Sequence, residues 1–148
     1  MLVTETSPEI RAVPEQVFAF FARMESHYEK WHPDHVLFRW LDPPVLKPGV
    51  RFHFEERIGG KLLKKTVAFT RVEPGSLIEF APTSRLFRIF LPRISFLIRR
   101  TNGSITVTQD IHLRIGPLAQ WLNRRELDAV RRHMREEGAN LKQLLESA

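Results

Sequence analysis

The chain has 148 residues, 43% of them hydrophobic and 10% aromatic, which is enough apolar material for one domain with a single core and a pocket. It contains no cysteine, so disulfides, thiolate metal sites and thiol nucleophiles are excluded together, and a metal would have to be held by histidine and carboxylate. The formal net charge is +6, but the arginines carry no fingerprint of a nucleic-acid module, so we read them as a basic, solvated surface and expect neither nucleic acid nor a membrane as partner.

Residues Val3–Val13 mix β-branched and polar types and predict a first strand. Pro14 suits the first position of a short amphipathic helix over 14–24, and Ser26 is placed to cap a second one running to about Trp31, which Pro33 ends. The opening stretch has no basic region followed by a long apolar one, and no apolar run approaches the roughly 20 residues of a membrane span, so a cytoplasmic location is expected. Strands follow at Val36–Leu41, Val50–Ile58 and Lys61–Glu73, the last two joined by a tight turn at Gly59-Gly60. Pro74-Gly75 turns the chain into Leu77–Phe80, and Asn102-Gly103 joins Ile94–Arg100 to Ser104–Ile115. Gly116-Pro117 opens a long final helix, read as continuous over 117–146. The class is therefore α+β: six or seven antiparallel strands curved around a C-terminal helix, with two short helices after the first strand and a cavity between sheet and helix.

That last helix carries polar residues on its apolar face. Wound at about 100° per residue, Leu122, Leu127, Val130, Met134, Leu141 and Leu145 fall within an arc of about 140°. His133 and Glu137 lie inside the same arc one turn apart, and Glu126 also falls inward. Burying ionisable groups among aliphatics is costly unless they are compensated, either by a hydrogen bond between the two or by a metal that both ligate. In Val50–Ile58 the apolar residues are even-numbered, so Glu56 points inward with Phe52 and Phe54 while Glu55 points outward, unless a bulge exchanges them. In Ser104–Ile115, Gln109 shares inward parity with Val107 and Ile111 and offers a polar contact inside the cavity. The early histidines are His32 and His35; one of them can ligate while the other positions substrate or supports the site. With Glu56, His133 and Glu137, either forms a mixed nitrogen–oxygen set that suits zinc, with iron, manganese and nickel as alternatives.

The element order, together with PEQVFAFFARMESHYEKW near the start and RVEPGSLIEF in the middle, resembles the SRPBCC superfamily of START-like, helix-grip proteins over nearly the whole chain. That resemblance implies a deep apolar pocket between sheet and helix, as in polyketide cyclases and lipid carriers. Within it, HYEKWHPDHVLFRW is similar to the W-H-P segment of the zinc-dependent hydrolases of diacetylphloroglucinol and phloretin. Their metal is bound by an early histidine, a strand glutamate and a His-x-x-x-Glu pair on the last helix. Here Trp31-His32-Pro33 and His133–Glu137 match, so the resemblance implies His32, Glu56, His133 and Glu137 as the ligands, with His35 the second histidine of the site; the chain is shorter, however, and has a single tyrosine, Tyr28.

Two functions follow as expectations. One is a metal-dependent hydrolase of an acylated aromatic or polyketide-like compound, with Tyr28, His35 or Glu126 as the acid or positioning group. The other is a carrier of a lipid, quinone or polyketide-like molecule, or a metal-free cyclase. Both take a small hydrophobic or aromatic ligand in a pocket lined by Phe52, Phe54, Gln109, Val130 and Met134. The apolar and basic stretch Arg85–Arg100 stands apart: it can cap the pocket, pair two subunits as a homodimer, lie against anionic lipid, or form a strand pair bent at Pro92.

Overall fold

The computed structural model describes residues 1–147. Strand β1 (Leu2–Thr6) leads into helices α1 (Pro14–Ala22) and α2 (Met24–Trp31). Four strands follow: β2 (His35–Trp40), β3 (Arg51–Ile58), β4 (Lys61–Glu73) and β5 (Leu77–Pro82). A short helix α3 (Arg85–Phe90) separates these from β6 (Arg93–Thr101) and β7 (Ser104–His112). Helices α4 (Pro117–Leu122) and α5 (Arg124–Glu146) end the chain. The strands form one antiparallel sheet in the order β1-β7-β6-β5-β4-β3-β2, so each consecutive pair from β2 to β7 is adjacent, and β1 closes onto β7. Its concave face is aromatic: Phe52, Phe54, Phe69, Phe80 and Phe96 pack edge to face, tilted or stacked against one another and against Phe21 and Trp31 of the short helices.

Four boundaries differ from the sequence expectation, each for a local reason. The first strand stops at Thr6 because Pro8 has no N–H for the ladder; pairing resumes only as a bridge between Ile10 and Ile105. Helix α2 begins at Met24, directly after the Arg23 junction, so Ser26 lies inside it and donates to the Arg23 carbonyl instead of capping. Residues 85–90 form a helix, with Ser84 Oγ accepting the Phe87 N–H and Pro82 and Pro92 on either side. The final helix is broken at Asn123, whose side chain donates to the Ala119 carbonyl at 2.8 Å before the chain restarts at Arg124. That break removes Leu122 from the buried face.

Helix α5 is held against β1 and α2 by close contacts. Trp31 Nε1 donates to the Glu137 carbonyl at 2.9 Å, Asn140 Nδ2 to the Trp31 carbonyl at 2.9 Å, and Gln109 Nε2 to the Met134 carbonyl at 3.3 Å. Gly138 lets the helix approach β1 so closely that a Cβ there would lie 3.2 Å from Ser7 Cα and Cβ. Gly138→Val is therefore expected to destabilise the fold by about 1–3 kcal/mol through overpacking, measurable by chemical denaturation, and to displace the neighbouring Glu137.

Candidate metal centre

Three segments bring four buried ionisable side chains together. Strand β3 alternates strictly, so Val50, Phe52, Phe54 and Glu56 are all buried on its concave side. Strand β2 pairs with β3 so that His35 lies directly opposite Glu56, with a register shift between His35 and Leu37. Residues opposite each other share a face, and the irregularity lets His35 point inward at the start of the strand. Helix α5 contributes His133 and Glu137 from adjacent turns.

One ligand atom from each of His35, Glu56, His133 and Glu137 lies within 4.8 Å of all the others. His35 Nε2 is 2.8 Å from Glu137 Oε2 and 3.8 Å from Glu56 Oε2. His133 Nε2 is 3.3 Å from Glu56 Oε2 and 3.5 Å from Glu137 Oε2. A tetrahedron with zinc–ligand bonds of about 2.0–2.1 Å has edges of about 3.3 Å, which these four spacings straddle. His133 Nε2 is the one buried side-chain polar atom, among the described residues, with no hydrogen-bond partner, despite two carboxylates so near. It aims between them. His35 Nδ1 lies 2.7 Å from the Tyr28 carbonyl, which can only accept, so that nitrogen carries a hydrogen and the opposite one faces the carboxylates. Something positive, a proton or a metal ion, has to lie between His35 Nε2 and Glu137. A backbone carbonyl that fixes the ring tautomer is the usual support of a histidine ligand. Two carboxylates and two neutral imidazoles carry a charge of −2, which a divalent cation cancels. The donor set fits such an ion.

The electrostatics follow from this crowding. Burial pushes Glu56 up, but His133, Lys65 and His35 outweigh it and hold the carboxyl at about 2. Burial pulls His133 down, but the Glu137 and Glu56 carboxylates outweigh it and lift the ring to about 10. Glu137, also penalised by burial, is lowered by His133 and His35. Tyr28 is pushed far up by burial and by the charges of Glu56 and Glu137, so its hydroxyl stays protonated and donates to Glu56 Oε2 at 3.3 Å. Its ring stacks on His35 with centroids 3.9 Å apart.

His32, expected as the early ligand, occupies a different position. Its Nδ1 accepts the Asp34 N–H at 2.9 Å, which leaves Nε2 as the protonated nitrogen facing Glu136 Oε1 at 3.1 Å. Both nitrogens are thus engaged, and the ring packs beside His133 with centroids 4.2 Å apart. A second grouping, His32 with Asp34 and His133, would require His32 to give up that bond. The structure exchanges the two early histidines: His35 joins Glu56, His133 and Glu137, and His32 stands outside them. Glu126 is also displaced from its expected place; it is exposed in the first turn of α5, 3.5 Å from Lys61 Nζ. Glu55 faces outward and pairs with His53 at 2.8 Å.

Glu56, His133 and Glu137 open on a cavity of about 250 Å³, with His35 fully buried behind them. Phe52, Phe54, Gln109, Val130 and Met134 all line it, with Tyr28, Glu56, His133 and Glu137. Lys65 lines it too, and its Nζ lies 3.7 Å from Glu56 Oε1 and 5.6 Å from the Phe54 ring centre. Sequence reasoning missed Lys65, although the signal was present: odd-numbered Leu63, Val67 and Phe69 set the inward parity of β4, and Lys65 shares it.

The comparisons with known proteins agree with this architecture. The KanY protein superposes with a TM-score of 0.76 at 13% identity, covering 99% of this chain and 97% of its own. A START superfamily protein from Mycobacterium smegmatis superposes with a TM-score of 0.60 at 16% identity, covering 99% and 97%. The di-domain ARO/CYC BexL from the BE-7585A biosynthetic pathway gives 0.70 at 15% identity, covering 100% of this chain and 50% of BexL. At such identities these likenesses show the helix-grip fold of the START-like SRPBCC proteins. No curated protein matches the chain. The model of the family described as polyketide cyclase / dehydrase and lipid transport matches residues 1–146, and the chain belongs to that family.

Proposed function

We propose that the cavity takes a small hydrophobic, aromatic molecule, that His35, Glu56, His133 and Glu137 hold a divalent metal beside it, and that the protein hydrolyses an acylated aromatic or polyketide-like compound. The observation that carries this reading is the convergence of two imidazoles and two carboxylates around the unpartnered His133 Nε2. Zinc fits the donor set and the spacing. When bound, such an ion polarises a carbonyl and activates water at neutral pH. The likeness to BexL, an ARO/CYC protein of a biosynthetic pathway, supports an aromatic or polyketide-like ligand.

The chain's own residues then have definable work. Phe52, Phe54 and Phe96 supply flat apolar walls that orient a ring and exclude water. Tyr28, kept protonated, can turn its one O–H from Glu56 to a substrate oxygen; its high proton affinity makes it a donor that polarises rather than an acid that readily gives up its proton. Lys65 offers a cation to an anionic or phenolic oxygen at the same edge of the cavity. Gln109 has its amide nitrogen on the Met134 carbonyl, which leaves its oxygen as an acceptor.

A carrier without metal is the second reading. His133 held as imidazolium and Lys65 beside Glu56 together balance the two carboxylates with no ion. Elemental analysis of protein purified without a histidine tag separates the two. About one equivalent of metal, with a melting temperature that falls in chelator, is expected for the hydrolase; metal-free protein indifferent to chelator supports the carrier.

A further inference from the structure

The positive charge of this protein is concentrated in one span of the chain. Residues 83–125 hold eight arginines and a single acid, Asp110, whereas the rest of the chain has fifteen basic and sixteen acidic residues. All eight are exposed, and the six on or next to α3 and α4, Arg85, Arg88, Arg93, Arg114, Arg124 and Arg125, form no ion pair among the described residues.

The same span carries large apolar side chains in water. On α3, Leu86, Phe87, Ile89 and Phe90 are 51–63% exposed; on α4, Leu118, Trp121 and Leu122 are 61–70% exposed. The segment leading into α4 is tied to the end of α3. The Arg114 N–H, just before α4, donates to the Phe90 carbonyl at the end of α3 at 2.8 Å. Both also adjoin the cavity, since Leu91 immediately after α3 and Leu113 shortly before α4 line it.

We propose that α3 and α4 form a docking face for an anionic lipid bilayer, placed at the cavity mouth so that an apolar ligand passes between bilayer and cavity without crossing water. The face has the two parts such binding needs, protruding aromatic and aliphatic groups and, on and beside the same two helices, exposed arginines without ion-pair partners among the described residues. A second copy of the chain is a poorer occupant, because a symmetric contact would set these arginines against themselves. No helix of the described chain is long and apolar enough to cross the membrane, so the contact is peripheral. The inference goes beyond the metal reading and does not depend on it.

Flotation of the full chain with vesicles tests it. Binding is expected to vesicles of phosphatidylcholine mixed with phosphatidylglycerol, to weaken sharply with phosphatidylcholine alone, and to fall as salt rises. Arg85→Gln with Arg88→Gln should weaken it about 25-fold, roughly fivefold per arginine. Phe87→Ser with Trp121→Ser should abolish it while the thermal melt, run alongside, stays unchanged because both side chains are exposed. Absence of flotation at low salt overturns the proposal. So does full binding by the Phe87→Ser, Trp121→Ser variant, which would leave charge adsorption only. Self-association without vesicles that the same variant removes would assign the face to a second copy and overturn it equally. Because flotation is indifferent to bound metal, its failure and that of the metal reading are separately visible.

Discussion

His133→Ala and Glu137→Ala are each expected to lower the affinity for a divalent metal by at least about 100-fold. Loss of a hydrogen bond behind a ligand costs about 10- to 100-fold, and loss of a ligand exceeds that. Glu136→Gln supplies the contrast. Glu136 touches His32, not the four-residue group, so its substitution should cost no more than about tenfold. His133→Ala has a second consequence in metal-free protein. Glu56 and Glu137 would face each other without the ring that offsets their charge, which costs about 3–5 kcal/mol for a buried pair deprived of one partner. Titration with zinc and chemical denaturation in chelator measure the two effects separately. If His133→Ala bound zinc as well as the parent chain, the ligand assignment would be wrong.

The second large effect is a pair of opposed pH dependences. In metal-free protein the His133 ring is raised from its ordinary 6.5 to about 10. Its contribution to stability is complete below pH 6.5, declines as the pH rises, and is lost above about 10. Glu56 is lowered from 4.5 to about 2, so its contribution is complete above pH 4.5 and is lost as the pH falls through about 2. These are two ends of one interaction and are not added. Metal-free protein should therefore lose roughly 3 kcal/mol between pH 6.5 and 10. Metal affinity should run the other way. A ligating imidazole must release its proton, so affinity rises by up to about tenfold per pH unit across the same interval. Denaturation curves at several pH values, with chelator and with zinc, should diverge with rising pH. Parallel curves would show that His133 is not the group where proton and metal compete.

Much of this site is legible in periodicity. The even-numbered apolar run of β3 brings Glu56 inside, and the 3.6-residue spacing of the last helix brings His133 and Glu137 inside, because both readings depend only on regular backbone. The choice between His32 and His35 was not legible. It depends on the register that sets His35 opposite Glu56 and on the Asp34 N–H that occupies His32 Nδ1, neither of which is written in residue spacing. Leu122 was misplaced because the helix was wound without a break through Asn123, where the chain stops and restarts. Glu126 shares α5 with His133, but it sits in the exposed first turn, beside Lys61, rather than over the cavity. The Arg85–Arg100 stretch stayed open between a lid, a subunit contact, a lipid contact and a bent strand pair because its apolar residues are too dense for one face. Between Pro82 and Pro92, with Ser84 accepting the Phe87 N–H, residues 85–90 fold as a short helix turned to solvent.

The account rests on four groups meeting at one ion. The most direct measurement is an anomalous difference map, at the zinc absorption edge, from crystals grown with the metal. It should show one strong peak coordinated by His35 Nε2, Glu56, His133 Nε2 and Glu137. A peak on His32 and Asp34, or no peak between α5 and the start of β2, would contradict it.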